Sequence, residues 1–280
     1  MPGISKAFSP ILDRIRPGLL LAAFLLVLPA LVACGDDDSG DGGTLTVFAA
    51  ASLTSSFNEL GEAFEDANEG VTVEFNFAGS QALATQLAEG ASADVFASAN
   101  LTQMGRVVEA DLVDGEPVIF AQNRLAILVP AGNPANVQSI LDLGDPDLKL
   151  VLAAEDVPVG RYAREVLAIA EQSAEFQNRN PEFTDFNVVS NETNVLQVVT
   201  RVRLGEADAG IVYETDVTPD VVGEVTLIPI PPEFNVIADY PIAALSDGDT
   251  DLALSFIEFV RSSEGRQILA DWGFLPVEPE

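Results

Sequence analysis

The sequence of 280 residues contains no histidine and a single cysteine, Cys34. Without histidine, the chain lacks the most common general base and the most common transition-metal ligand. Because Cys34 lies near the N-terminus and has no partner, disulfides, thiol catalysis and thiolate metal sites are excluded from the body of the chain. Lysine is nearly as scarce, with only Lys6 and Lys149. The Ser-x-x-Lys and Gly-x-Ser-x-Gly patterns of serine hydrolases are also missing.

Positive charge is scarce overall, since 13 basic residues face 44 acidic ones for a net charge of −31. Without residues 1–33, the chain has 10 basic and 43 acidic residues, a net charge of −33. Nucleic acids and anionic membrane surfaces would be repelled, so we predict no nucleic-acid partner. This composition fits a protein of a salt-adapted host and equally an ordinary acidic exported protein.

The first 33 residues have the parts of an export signal. A basic segment precedes an apolar run from Gly18 to Ala33, which is shorter than the roughly 20 residues of a comfortable membrane span. The run ends in Leu31-Val-Ala-Cys34, which resembles the lipobox of bacterial lipoproteins. We predict that residues 1–33 are a lipoprotein signal peptide and that Cys34 carries the lipid, which places the protein outside the cytoplasm, anchored to the cell membrane. The alternative is an uncleaved membrane anchor.

Residues 34–43 carry four aspartates and no apolar side chain beyond Cys34. A segment that has nothing to bury and repels itself is typical of a flexible linker, so we predict an acidic tether. The remaining mature chain of 247 residues, 280 less the 33 of the signal, suits one compact unit or two modest domains.

From Thr44 onward, short apolar runs alternate with segments of helical periodicity. Such alternation predicts an α/β fold with a mainly parallel sheet flanked by helices. Residues 172–184 are polar and contain Pro181, so we predict a loop or a helix end there. The predicted strands lie near 44–50, 71–77, 94–99, 124–129, 149–153, 186–189, 209–213, 225–230 and 235–245, and the helices near 53–64, 80–87, 104–108, 157–171, 194–202, 250–261 and 264–271.

Four helix starts follow predicted strands, at Ser52, Ser80, Val159 and Val195. The first turn of a helix has unpaired N–H groups and a positive dipole end, which together favour an anion. Taken singly, each serine is explained better as an ordinary N-cap, and the two valines call for no explanation. Tyr213, at the end of another strand, is by itself a typical core aromatic. Taken jointly, these positions predict one anion site.

Six segments resemble the molybdate-binding proteins of ABC uptake systems, a family of two-domain extracytoplasmic solute-binding proteins. They occur in the family's order between about residues 44 and 276, so the resemblance covers essentially the whole mature body. The segments are Val47-Phe-Ala-Ala-Ala-Ser-Leu-Thr54, Phe77-Ala-Gly-Ser80, Ala93-Asp-Val-Phe-Ala-Ser-Ala99, Val157-Pro-Val-Gly-Arg-Tyr162, Gly210-Ile-Val-Tyr213 and Trp272-Gly-Phe274.

The resemblance implies a two-lobed, periplasmic-binding-protein-like (type II) architecture, each lobe a mainly parallel sheet flanked by helices. Lobe 1 would comprise residues 44–121 and 241–280, and lobe 2 residues 122–240. The chain would cross between the lobes near Ile119–Ala126 and Ile237–Ala243, and the lobes would close on the ligand by a hinge.

By the same resemblance, Ser52 and Ser80 would bind a molybdate oxyanion through hydroxyl and backbone N–H groups. Val159 and Val195 would contribute backbone N–H groups, and Tyr213 its phenolic O–H. Val159 stands where relatives often carry alanine, which leaves its N–H unchanged. No basic side chain is involved, and no cofactor is expected besides the ligand, molybdate or tungstate. Donors alone favour oxyanions that carry no proton, and they select less strictly against hydrogen phosphate because hydroxyl groups can also accept.

The function implied is high-affinity extracytoplasmic binding of molybdate, or of tungstate, and its delivery to an ABC permease. The permease and its ATPase would be separate chains, since this chain has no Walker A motif and no polytopic segment, and the protein would be a monomer and not an enzyme. Three alternatives remain open. They are a binding protein of the same architecture for sulfate or another small ligand, a surface lipoprotein that senses or adheres, and a hydrolase that uses carboxylates only.

Overall fold

The structure is a computed structural model, and it describes residues 43–277. The predicted signal peptide, the predicted lipidation site Cys34 and all but the last residue of the predicted tether lie outside the described residues. The strands are β1 (Thr44–Ala50), β2 (Thr72–Ala78), β3 (Val95–Ala97), β4 (Val113–Pro130), β5 (Leu150–Ala153), β6 (Val188–Glu192), β7 (Ala209–Tyr213), β8 (Val225–Pro229) and β9 (Ile237–Leu245). The helices are α1 (Thr54–Ala67), α2 (Ser80–Ala88), α3 (Leu101–Glu109), α4 (Pro158–Glu171), α5 (Ala174–Arg179), α6 (Val195–Arg203), α7 (Thr250–Arg261) and α8 (Ser263–Asp271).

The strands form a mixed sheet in the order β2-β1-β3-β9-β4-β7-β5-β6, with β8 paired to β4. Strands β1, β2 and β3 pair in parallel, as do β5, β6 and β7. We call β1–β3 with α1–α3 the first half and β5–β7 with α4–α6 the second half. The predicted α/β fold is confirmed, but the sheet is mixed because β4 and β9 run antiparallel to their neighbours.

The long strand β4 links the two halves. From Val113 to Arg124 it pairs with β9, and from Leu125 onward it pairs with β7 and β8. The register shifts after Asp114 and again after Ile119, and such irregularities bend a strand. The two predicted crossing segments thus lie on neighbouring antiparallel strands, while the exact lobe boundaries stay a prediction.

Apolar side chains of the helices pack on the sheet with helical spacing. On α1, Phe57, Leu60 and Phe64 are buried, and both phenylalanines pack against Phe256 of α7. Strands β5 and β7 are buried on both faces, which explains their uninterrupted apolar sequences. Among residues 43–277, no helix is both long enough and apolar enough to cross a membrane.

One helix is absent from the sequence-based prediction. Residues Ala174–Arg179 form α5 within the polar stretch that we predicted as a loop or a helix end. Ser173 caps this helix by accepting the N–H of Phe176 at 3.1 Å, and the Phe176 ring packs against Phe183 and Phe186. A single buried aromatic was too weak a signal to predict one and a half turns of helix.

Candidate functional site

Four helix starts and the end of β7 converge on one small cavity. Ser52, Ser80, Val159, Val195 and Tyr213 all line it, so the structure brings together every residue predicted for the site. The first two come from the first half, and the other three follow strands of the second half. The other lining residues are Ala50, Ala51, Gly79, Ala99, Val157, Pro158 and Asn194.

Ser52 lies in a short 3-10 turn, Ala51–Leu53, between β1 and α1. The alternative that it is an N-cap is wrong, because neither this turn nor α1 has a side-chain cap. Its hydroxyl instead pairs with the hydroxyl of Tyr240, 3.0 Å away on β9. The Ser52 hydroxyl has a single proton to donate. When it donates this hydrogen bond to a ligand, Tyr240 becomes the donor and Ser52 Oγ the acceptor in their pair.

Ser80 is the first residue of α2 and is not its cap, since Gly79 holds that position without a side-chain bond. The alternative of an ordinary N-cap is therefore wrong here too. Ser80 is only 1% exposed, and its Oγ accepts the backbone N–H of Ala99 at 3.0 Å. With that acceptor position occupied, the hydroxyl proton is available to a ligand in the cavity.

The first turn of α4 presents the N–H of Val159. Pro158 occupies the first helical position and has no N–H of its own, and Val157 at the N-cap provides no side-chain bond. Gly160 lets this turn lie against the end of β5, because a Cβ there would come within 2.5 Å of the Ala153 carbonyl oxygen. The first-turn donors of α4 therefore remain free while the helix lies close to the sheet.

In the first turn of α6, the N-cap side chain binds the third N–H and not the first. Asn194 is the N-cap, and its Oδ1 accepts the N–H of Gln197 at 3.1 Å. The cap satisfies the donor at the third helical position and leaves that of Val195, the first. Val195 itself is buried and lines the cavity.

Tyr213 supplies a buried phenolic O–H donor. The residue is 1% exposed, and its hydroxyl has no hydrogen-bond partner among the described residues. Burial raises the pKa of Tyr213 well above its usual value, and the nearby Tyr240, Tyr162 and Asp216 raise it further. The phenol therefore keeps its proton near neutral pH. A buried unpaired O–H in a cavity is a strong indication of a ligand that accepts hydrogen bonds.

Two residues that the sequence analysis did not single out support Tyr213 and Ser52. Asp216 is 3% exposed, and its Oδ2 accepts the Tyr213 N–H at 2.8 Å, while its Oδ1 has no partner among the described residues. Burial raises the pKa of Asp216 to about 8, although the bond from Tyr213 lowers it somewhat. The rings of Tyr213 and Tyr240 pack edge to face, 5.7 Å apart. The partners of Tyr240 are distant in sequence, whereas Asp216 lies only three residues after Tyr213, a local spacing that the sequence analysis did not consider.

The cavity presents hydrogen-bond donors but no charged side chain, which suits an anion bound by neutral groups. No lining residue is acidic or basic, and no group of three or more acidic or cysteine side chains in residues 43–277 is placed to hold a metal ion. The centre of a water molecule has about 10 Å³ available, close to the least that one water needs. The lining suits a compact ligand that accepts several hydrogen bonds.

Known proteins share both the sequence and the fold. Residues 45–275 match the family described as bacterial extracellular solute-binding protein. The chain is 40% identical to the molybdate-binding protein ModA of Mycobacterium tuberculosis over 258 residues, which cover 89% of this chain and 94% of that protein.

Two solved structures extend the comparison. The periplasmic molybdate-binding protein of Azotobacter vinelandii superposes with a TM-score of 0.70 at 16% identity, covering 84% of this chain and all of that one. The sulfate-binding protein SubI from Mycobacterium tuberculosis gives 0.73 at 20% identity, covering 85% and 88%. At these identities the likeness concerns the fold, and it confirms the predicted periplasmic-binding-protein architecture.

Proposed function

Because the chain belongs to the family of bacterial extracellular solute-binding proteins, we propose that it captures molybdate outside the cytoplasm and delivers it to an ABC permease. The membership confirms the resemblance seen in six segments of the sequence. The observation that carries the proposal is the convergence of four helix starts and the unpaired Tyr213 hydroxyl on one cavity. Curated relatives named as molybdate-binding proteins support the choice of anion.

Neutral donors explain how a chain of net charge −31 holds a dianion. Ser52, Ser80 and Tyr213 donate through hydroxyl groups, Val159 and Val195 through backbone N–H groups, and the two serines add their own N–H groups. Fixed dipoles replace the water around the anion, and they act more strongly in a closed site of low dielectric than they do in water. Without buried cations, the empty site holds no uncompensated charge.

The same donors accept any small, fully deprotonated tetrahedral anion, so tungstate and sulfate are the competing ligands. Sulfate is the second candidate, because it is a fully deprotonated tetrahedral anion of the same charge. Selection among these anions depends on cavity size, because all of them only accept hydrogen bonds. Tungstate is the nearest match to molybdate in size and charge.

The remaining parts of the proposal concern the cellular role. Members of this family are transport components, and we propose that this one catalyses no reaction, since its cavity contains no base beside either serine. We also propose that the protein is a monomer anchored by lipid on Cys34, and that the permease and its ATPase are separate chains. The two lobes would be residues 44–121 with 241–280 and residues 122–240.

Calorimetric titration of the protein with molybdate, tungstate, sulfate and hydrogen phosphate tests the proposal. We expect tight binding of molybdate and tungstate and much weaker binding of sulfate and phosphate. Tight sulfate binding with weak molybdate binding would transfer the function to the second candidate. No heat with any of the four anions would contradict the proposal.

Substitution of the two serines tests the site itself. Ser52→Ala and Ser80→Ala should each weaken molybdate binding by roughly 1–3 kcal/mol, because each removes a donor from a desolvated anion. The dissociation constant would rise about 5- to 150-fold. Ser255→Ala is the matched control, since Ser255 is exposed on α7 and donates only to the Asp251 carbonyl within its own helix. Unchanged affinity in both site variants would remove the serines from the site.

A further inference from the structure

Two glutamine side chains of the first half reach backbone carbonyl groups of the second half. Gln81 Nε2 on α2 donates to the Thr193 oxygen at 2.8 Å, and Gln103 Nε2 on α3 donates to the Asp156 oxygen at 2.8 Å. Both glutamines are buried, at 8% and 4% exposure. These two contacts, which we call the amide bridges, span more than fifty residues of sequence each.

The two acceptors occupy equivalent positions in the second half. Asp156 directly precedes Val157, the N-cap of α4, and Thr193 directly precedes Asn194, the N-cap of α6. The free N–H groups of Val159 and Val195 follow within three residues. A movement that brings the carbonyl groups to the glutamines therefore brings the first turns of both helices to the anion cavity.

The geometry points to Gln81 and Gln103 as positioning residues that hold the cavity closed around its ligand. This inference rests on the proposed function. The bridges join the halves beside the cavity but do not line it, so they act on the ligand through the helix starts. They are expected to slow the release of a captured anion, because the anion cannot leave until both of these hydrogen bonds have broken.

Each glutamine is held by its surroundings in the orientation that the bridge needs. Arg106 Nη1 donates to Gln103 Oε1 at 3.0 Å, which leaves the amide nitrogen to face Asp156. Beside Gln81, Gly79 allows the close approach of the other half, because a Cβ at Gly79 would lie 2.6 Å from the Thr193 oxygen. A larger residue at position 79 would therefore keep this bridge from forming.

The Gln81 bridge has a cost that makes it dependent on the ligand. Gln81 Oε1 is buried and has no hydrogen-bond partner among the described residues. Closure gains the bond to Thr193 but removes water from this oxygen, and an unpaired buried acceptor opposes closure about as strongly as one bond favours it. The Gln81 bridge alone therefore does not stabilise the closed form of the empty protein, and the bound anion supplies the additional stabilisation.

Release kinetics test the inference. Isotope-labelled molybdate is bound to the protein and chased with unlabelled molybdate, and the dissociation rate is compared among Gln81→Met, Gln103→Met and the unmodified chain. Each variant keeps the length of the side chain and removes the donor. We expect dissociation to accelerate by about 5- to 10-fold in Gln103→Met, the effect of one typical hydrogen bond, and by less in Gln81→Met, because methionine also removes the unpaired Oε1 that opposes closure. Association rates should stay within about twofold.

Gln86→Met is the matched control. Gln86 lies on the same helix as Gln81, and its Oε1 accepts from Asn76 Nδ2 within the first half at 3.1 Å. Because a dissociation rate does not depend on the fraction of active protein, partial misfolding of a variant leaves the comparison valid. A Gln103→Met variant that releases molybdate as slowly as this control would overturn the inference while leaving the proposed function intact. Failure of the unmodified chain to retain molybdate would instead overturn the proposed function and, with it, the role of the bridges.

Discussion

Gly160→Ala is expected to destabilise the protein by about 3 kcal/mol and to weaken molybdate binding more than either serine variant. The added Cβ would come within 2.5 Å of the Ala153 oxygen and closer still to that of Ala154. Both atoms belong to backbone, so neither a rotamer change nor a flexible side chain can relieve the clash. The first turn of α4 must move away from β5, and the Val159 N–H moves with it.

The control for this variant is Gly105→Ala on α3. Nothing lies within 4 Å of a Cβ built at Gly105, so alanine should be neutral or should stabilise the helix by up to about 1 kcal/mol through its higher helix propensity. Urea unfolding and calorimetric titration of both variants measure the two effects. Equal stability and equal affinity of the two alanine variants would contradict the close packing of α4 on β5.

Asp216→Asn is expected to change how stability depends on pH. The buried carboxyl of Asp216 has its pKa raised from 3.8 to about 8, so between these values the folded protein keeps a proton that the unfolded chain has released. Stability from this group is complete below about pH 4 and is lost as the pH rises to about 8. At 1.36 kcal/mol per pH unit, the loss is on the order of 5 kcal/mol over this window.

The asparagine variant cannot lose this proton. Its free energy of unfolding should therefore rise relative to that of the unmodified chain by several kcal/mol between pH 4 and pH 8, as measured by urea unfolding in matched buffers. Asp247→Asn removes an exposed carboxylate and should leave the pH slope unchanged. Parallel pH profiles for Asp216→Asn and the unmodified chain would show that Asp216 is ionised throughout the window.

The alternation of strands and helices was predictable because it depends on local periodicity. The strands that carry the site, such as Thr44–Ala50 and Ala209–Tyr213, were predicted at their observed positions because they are short apolar runs with clear ends. The short helix Ala174–Arg179 was missed, and so was the full length of β4, which contains Gly115 and Pro117. Glycine and proline argue against a strand locally, and both residues lie in the irregularity between Asp114 and Val118, on either side of which β4 pairs with β9.

The members of the site were predictable from helix starts and from the family resemblance, but their local roles were not. Ser52 and Ser80 are not N-caps, because their hydroxyl groups take partners from β9 and from the end of β3. Asp216 binds Tyr213 three residues before it, a local contact that the sequence analysis did not consider. Tyr240 gained its role from contacts with residues on other strands or turns, and a single sequence does not encode such contacts in any local pattern. The amide bridges were missed for the same reason.

The main-chain origin of the donors on α4 and α6 limits what mutational scanning can detect. Alanine at Val159 or Val195 keeps the N–H that faces the cavity, so a side-chain scan of binding affinity would record little change at two positions at the centre of the binding site. A functional map assembled from such data would show the two serines and Tyr213 and leave blank the wall formed by the first turns of α4 and α6. Backbone amide-to-ester replacement, which deletes a single N–H and keeps the side chain, is the perturbation to which that wall would respond.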